Sequence, residues 1–273
     1  MRLVEYTLIA IVALLLALVV AVRFVDGVVT HFVEPVYMSV THKPLYVHFY
    51  ASLLKLSPSE GFFLTQNPFY RRLSPKHRAY FEHRVAKFIL TYRFHGKDGL
   101  QVTDEMRVKV AGVYVMLTFG MRHYLVDNLK DIVLYPDAYQ SQITGKMHKG
   151  EFNPAYKVVV FSWKHFDEGL AHNDNMNLGI HEFAHVFHLH SRKRHNNSSA
   201  NFAIRFNKVL REVNHAPNRH RLEASGYFRH YAYANQHEFL AVVLEHFFET
   251  PGEFRRMFPE LYQSIGRMIN QHP

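Results

Sequence analysis

Asn177-Leu178-Gly179-Ile180-His181-Glu182-Phe183-Ala184-His185-Val186-Phe187 combines the apolar spacing of a helix with two histidines four residues apart. Ile180, Phe183, Ala184 and Phe187 follow an i, i+3, i+4, i+7 pattern and form one buried stripe. A helix with such a stripe must lie against a core. It then carries His181 and His185 on one side, with Cβ atoms about 5–6 Å apart, so that both imidazoles can grip one ion. The pattern His-Glu-x-x-His is the spacing of a zinc site. Its Glu182 is expected on the other side of His185 from the core, where a carboxylate reaches a water rather than the metal and acts as general base. A third protein ligand has to come from elsewhere.

At 273 residues the chain is long enough for one sizeable domain with a real core. Cysteine is absent, so zinc would be held by histidine and carboxylate alone and no disulfide braces the fold. A net charge of +9 with histidine neutral favours anionic surfaces such as lipid headgroups, without naming a partner. No direct binding of nucleic acid is expected.

Tyr6 to Val22 is a charge-free run of 17 residues between Arg2 and Arg23, at the lower limit of about 17–25 residues for a bilayer-spanning helix. It exceeds the apolar length of a signal peptide, about 7–15 residues, and no clear Ala-x-Ala site follows, so a retained anchor over residues 1–25 is expected. Residues 26–66, interrupted by Pro35, Pro44 and Pro58, read as a membrane-proximal connector with short helices. The remaining residues, 67–273, read as the catalytic domain.

Within that domain Ser74-Pro75 starts a helix that runs through Tyr92, and Thr103 caps a second, apolar one reaching Phe119. Lys130–Tyr135 reads as a short strand, and Tyr156–Trp163, dense in β-branched and aromatic residues, as the strongest strand of the chain. The second strand is either an edge strand that pairs with a peptide backbone or an ordinary core strand. His188 shares the face of His181 and His185, but about 10 Å of helical rise separates it from His181, too far to share an ion. It reads as core or as a residue behind the ligands. His190 and His195 extend the histidine density, Ser191–Asn197 reads as a polar loop, and Ser199–Val213 as an amphipathic helix.

For the third ligand, Asn235 is a plausible N-cap and Glu238 lies three residues on. Glu238 then either closes a capping box or reaches across to the metal. Glu245, two turns further along the same face, is the rival ligand, or a carboxylate that hydrogen-bonds a ligand histidine from behind.

Arg93-Phe94, Gly96, Gly99-Leu100, Thr103-Asp104-Glu105-Met106-Arg107, Val133-Leu134-Tyr135-Pro136, Ser162-Trp163, His181-Glu182-Phe183-Ala184-His185, Tyr231-Ala232 and Glu238-Phe239 together resemble the Mlc titration factor A family of zinc metallopeptidases, of the gluzincin type. The resemblance runs from about Ser74 to Phe254. It implies a single α+β domain, mainly helical and zincin-like with a small sheet; the N-terminal transmembrane helix expected from Tyr6 to Val22 is an addition to the usual soluble, cytosolic members. It implies one Zn2+ held by His181, His185 and Glu238, with Glu182 as the catalytic glutamate and Tyr231 as a hydrogen-bonding tyrosine for the transition state.

The expected activity is hydrolysis of a peptide or protein substrate by a single-pass protein of a bacterial inner membrane, with its catalytic domain in the cytoplasm. Two other readings compete: a zinc-containing scaffold that captures a transcriptional regulator with little proteolysis, and a histidine-rich metal buffer. Neither substrate preference nor the choice between aminopeptidase and endopeptidase follows from the residues.

Overall fold

The structure, a computed structural model, describes residues 2–41, 43–142, 144–193 and 196–271. His195 lies outside the described residues. The chain divides after Tyr46 into two compact units.

In the first unit α1 (Arg2–Val28) passes through a π-helical turn (Val29–Val33) into α2 (Glu34–Thr41). Pro35 accounts for the wider turn. In a regular α-helix its ring would collide with the carbonyl of His31, four residues back, and it has no N–H to give. One turn earlier the Glu34 N–H reaches the Val29 carbonyl, five residues back, and opens the helix at that point. Helix thus continues to Thr41, well into the stretch from Asp26 that reads as connector. Every residue from Val4 to Asp26 is exposed, and by length and composition the helix can cross a membrane.

The second unit begins at Val47. Two short helices, α3 (Pro58–Leu64) and α4 (Pro68–Arg72), and the long α5 (Pro75–Thr91) each start with proline behind a capping side chain, Ser57, Asn67 and Ser74. After β1 (Arg93–Gly96), Thr103 caps α6 (Asp104–Thr118), which is buried almost throughout. Then come β2 (Asp131–Tyr135), a hairpin of β3 (Tyr139–Gln140) and β4 (Met147–His148), β5 (Gly150–Asn153) and β6 (Val158–Ser162). The rest is helical: α7 (Trp163–Ala171), α8 (Leu178–Arg192), α9 (Asn197–Asn214), α10 (Ala216–Ala224), a 3-10 turn (His230–Tyr233), α11 (Gln236–Glu249), α12 (Pro251–Met257) and α13 (Pro259–Ile269). The fold is α+β, mostly helical with small sheets.

The main sheet has the order β1-β2-β6-β5, with β1, β2 and β6 parallel and β5 antiparallel to β6. The strand around Tyr156–Trp163 is therefore an interior strand, with β2 on one flank and β5 on the other, and not the sheet edge. Val159 and Phe161 are fully buried, as its composition demands. The edge falls to β5, whose Gly-Glu-Phe-Asn sequence lacks the apolar alternation that marks a strand.

α8 is inserted between sheet and helices. The Phe183 ring lies 5.4 Å from Phe161, 5.2 Å from Tyr114 of α6 and 6.1 Å from Phe88 of α5, centroid to centroid. Such close seating requires Gly179, where a Cβ would stand 2.6 Å from the Phe166 ring. The metal-motif helix is thus fixed by aromatic packing on its inner side, and its histidines face the other way.

Candidate metal centre

Asn177 caps α8 by accepting the Ile180 N–H at 3.0 Å, and its amide donates to Gly169 O at 2.9 Å and to Glu249 Oε1 at 3.0 Å. From this anchored start, His181 and His185 emerge one turn apart with ring centroids 4.7 Å apart and planes nearly perpendicular. Across from them Asn235 caps α11, accepting from the N–H groups of His237 and Glu238 at 2.8 and 3.1 Å. The cap is as the sequence suggests, yet the Glu238 side chain does not turn back to complete a capping box. It points at the histidines instead: Oε2 is 3.1 Å from His181 Nε2, and Oε1 is 3.7 Å from His185 Nε2.

One ligand atom from each of His181, His185 and Glu238 lies within 4.8 Å of the others, so the three can converge on a cation. Glu238 Oε2 also fits a cation. It is buried and makes no hydrogen bond, although His181 Nε2 is close, and a buried lone pair left in that state needs a partner. Two imidazoles and one carboxylate are a donor set that leaves a position open for a water or a carbonyl.

Glu245 does not face the same point. Its Oε1 is 2.9 Å from His181 Nδ1, the other edge of that ring, and the guanidinium of Arg229 bonds both its oxygens, Nη2 at 3.1 Å from Oε1. Of the two readings open for Glu245, the geometry selects the carboxylate that holds the histidine from behind. Arg229 in turn donates to Asn175 O at 2.5 Å. Asn175, at a left-handed φ of 60°, also gives its N–H to Glu249 Oε2 at 2.8 Å and takes the Thr250 hydroxyl on Oδ1 at 2.8 Å. No sequence signal marks Arg229 or Asn175, because their partners lie on elements distant in the chain.

Glu182 is buried, 6% exposed, under the edge strand β5, and lines the cleft beside His181. Gly150 makes room for it, since a Cβ there would stand 2.9 Å from the Glu182 Oε1. Burial, opposed by the His181 charge and reinforced by Glu238 and Glu151, pushes its carboxyl up to about 7. For His181, burial works downward but the Glu238 and Glu245 carboxylates override it and push the ring up to about 10. His185 goes the other way, to about 4, through burial and the charge of His181. Tyr231 sits in the 3-10 turn, half exposed, its ring 6.2 Å from that of His181. Burial and the nearby Glu238 carboxylate raise its phenol.

A cleft of about 670 Å³ opens beside these groups, lined among others by His148, Gly150, Glu168, Met176, His181 and Glu182. His188 is not part of it. Its ring is buried against Phe206 at 4.9 Å and His237 at 4.4 Å, in keeping with a core role.

An α+β domain with a His-Glu-x-x-His helix crossed by a glutamate-bearing helix defines a metallopeptidase-like protein. Residues 57–268 match the family described as glucose-regulated metallo-peptidase M90, and the chain belongs to that family, the one indicated by its sequence motifs. Membership implies a metal ion. The chain is also similar to the uncharacterized protein slr2042 of Synechocystis sp. (strain ATCC 27184 / PCC 6803 / Kazusa), at 29% identity over 232 residues, 76% of this chain and 81% of that protein.

Proposed function

We propose that this protein is a zinc-dependent peptidase, with His181, His185 and Glu238 as the metal ligands, Glu182 as general base and Tyr231 as an oxyanion donor. The observation that carries the reading is the convergence of the three ligand side chains beside a buried carboxyl held near neutrality. Zinc bound there lowers the pKa of a water and polarises a carbonyl. Glu182 takes the proton of the attacking water and passes it to the leaving amine, a role suited to a buried carboxyl that lines the cleft beside His181. The Tyr231 hydroxyl donates a hydrogen bond to the oxygen of the attacked carbonyl, worth about 2.7–4 kcal/mol for a group of this kind. β5, as the sheet edge over Glu182, offers backbone groups for an extended peptide to pair with.

The substrate is a peptide or protein, met by an enzyme that a single N-terminal helix holds in a bacterial inner membrane with its catalytic domain on the cytoplasmic side. Support for the anchor is the length, apolarity and exposure of α1. Protease accessibility of intact spheroplasts tests the orientation: a protected domain agrees with it.

The test of the function is zinc content and hydrolysis of a mixed peptide library by the full-length protein and its Glu182→Gln form. One zinc per chain, with cleavage lost in Glu182→Gln while the metal stays, is the expected result. Zinc without cleavage, or cleavage indifferent to Glu182→Gln, would leave the scaffold that captures a regulator as the reading.

A further inference from the structure

A second cavity, of about 350 Å³, lies among α3, α4, α6, α7, the end of α11 and the starts of α8 and α12, and shares no lining residue with the cleft at the metal centre. Its size falls in the range of small-molecule sites, about 300–1,000 Å³. The floor is apolar, with Leu64, Val113, Met116, Ile180 and Phe248 all buried. Gly112 leaves space in it, since a Cβ there would meet only Leu64 at 3.4 Å and Asn67 at 3.8 Å.

The charges on its wall are unbalanced. Lys109 is bracketed by Glu105 at 2.6 Å and Asp167 at 2.8 Å, so that group carries one surplus negative charge. Arg72 is exposed at the rim and makes no ion pair among the described residues. Glu249 is held only by neutral donors, the Asn175 N–H and the Asn177 amide, and its charged neighbours Glu245 and Asp174 have the same sign. Burial and those neighbours push its carboxyl up to about 7. A part-buried carboxylate with no cation beside it costs free energy that a bound cation would recover.

We infer that this cavity binds a small molecule joining an aromatic or aliphatic body to a protonated amine, with the body on the floor and the ammonium at Glu249. The apolar floor selects the body, and the uncompensated carboxylate selects the charge. An alcohol of the same shape keeps the first contribution and lacks the second. A carboxylate of similar shape finds Glu249, of its own sign, at the part-buried end and Arg72 only at the exposed rim. The inference stands on the cavity and does not depend on the peptidase reading.

The experiment is equilibrium binding of 2-phenylethylamine, 2-phenylethanol and 3-phenylpropanoate to the full-length protein in lipid nanodiscs, above pH 7, with empty nanodiscs as blank. The expected result is saturable binding of one amine per chain, at least about tenfold tighter than the alcohol, a gap of about 1.4 kcal/mol, with no binding of the carboxylate. Glu249→Gln should bring the amine down to the level of the alcohol, and Gly112→Leu should abolish binding of both. Absence of saturable amine binding, equal binding of amine and alcohol, or an amine affinity untouched by Glu249→Gln would each overturn the inference. The Glu249→Gln comparison decides alone if Gly112→Leu does not fold.

Discussion

Glu245 Oε1 lies 2.9 Å from His181 Nδ1, while Glu238 Oε2 lies 3.1 Å from Nε2 of the same ring. One imidazole thus stands between two carboxylates from one helix, bonded to Glu245 at Nδ1 and facing Glu238 at Nε2. With Nδ1 engaged by Glu245, the ring is fixed in orientation and Nε2 is the atom turned toward Glu238 and free to meet a cation.

Glu245→Ala should therefore weaken metal binding about 10–100-fold without removing a ligand, as loss of such a supporting group does. Competition with a chelator measures it. Glu238→Ala should be worse, since on the proposed assignment it deletes a ligand. Equal affinity in wild type and Glu245→Ala would show that the hydrogen bond to His181 does nothing for the metal.

On the role proposed for Tyr231, Tyr231→Phe should lower kcat about 100- to 1,000-fold and leave KM close to wild type, because a hydrogen bond made only to the developing oxyanion acts on the transition state. Its half-exposed ring predicts an unchanged melting temperature. A variant that changes KM alone would move Tyr231 from the reaction to substrate binding.

Gly179→Ala should destabilise the fold by about 1–3 kcal/mol, the usual cost of overpacking. The added carbon would meet Phe166 at 2.6 Å and Val113 at 3.2 Å, so α8 must shift. Denaturant midpoints of the two forms give the value. Gly252→Ala, where no atom lies within 4 Å of a Cβ, should show no comparable loss.

The fold should lose stability on acidification between pH 6.5 and about 3. His48 packs against Tyr80 and Phe119 at 4.9 and 4.6 Å, and burial, with the Arg84 and His77 charges, depresses its pKa to about 3. An unfolded histidine titrates near 6.5 and takes up a proton that the folded ring refuses, so protons favour the unfolded state throughout that window. His48→Phe should flatten the decline, which thermal melts across pH 4 to 7 would read. An equally steep decline in the variant would assign the effect to the other histidines whose rings burial depresses, among them His185, His188 and His246.

Much of the site is legible in local pattern. The apolar stripe through Ile180 and Phe183 and the Asn177 cap put His181 and His185 on one helix, because both signals act within a few residues. The choice between Glu238 and Glu245 is not legible in spacing, since both lie on one face of α11, and only the family motif separates them. β5 escapes because a four-residue edge strand containing Gly150 and Glu151 has no period to detect, and its pairing with β6 is set by the turn between them. The cover over Glu182 is hidden for the same reason, since β5, the element that supplies it, cannot be seen in the sequence. Arg229 and Asn175 are set by contacts made across the fold. The π turn before Pro35 replaces an expected helix break, since opening one turn keeps the backbone bonded at less cost than ending the helix.

The amide, carbonyl and side chain of Asn175 each go to a different partner, Glu249, Arg229 and Thr250, just two residues ahead of the cap that starts the metal-motif helix. Inserting or deleting a single residue between α7 and α8 would slip all of these contacts at once and disturb the support of His181 with them. This surface connection should therefore keep its length among descendants of the chain even where its residues drift, a constraint on indels rather than on identity.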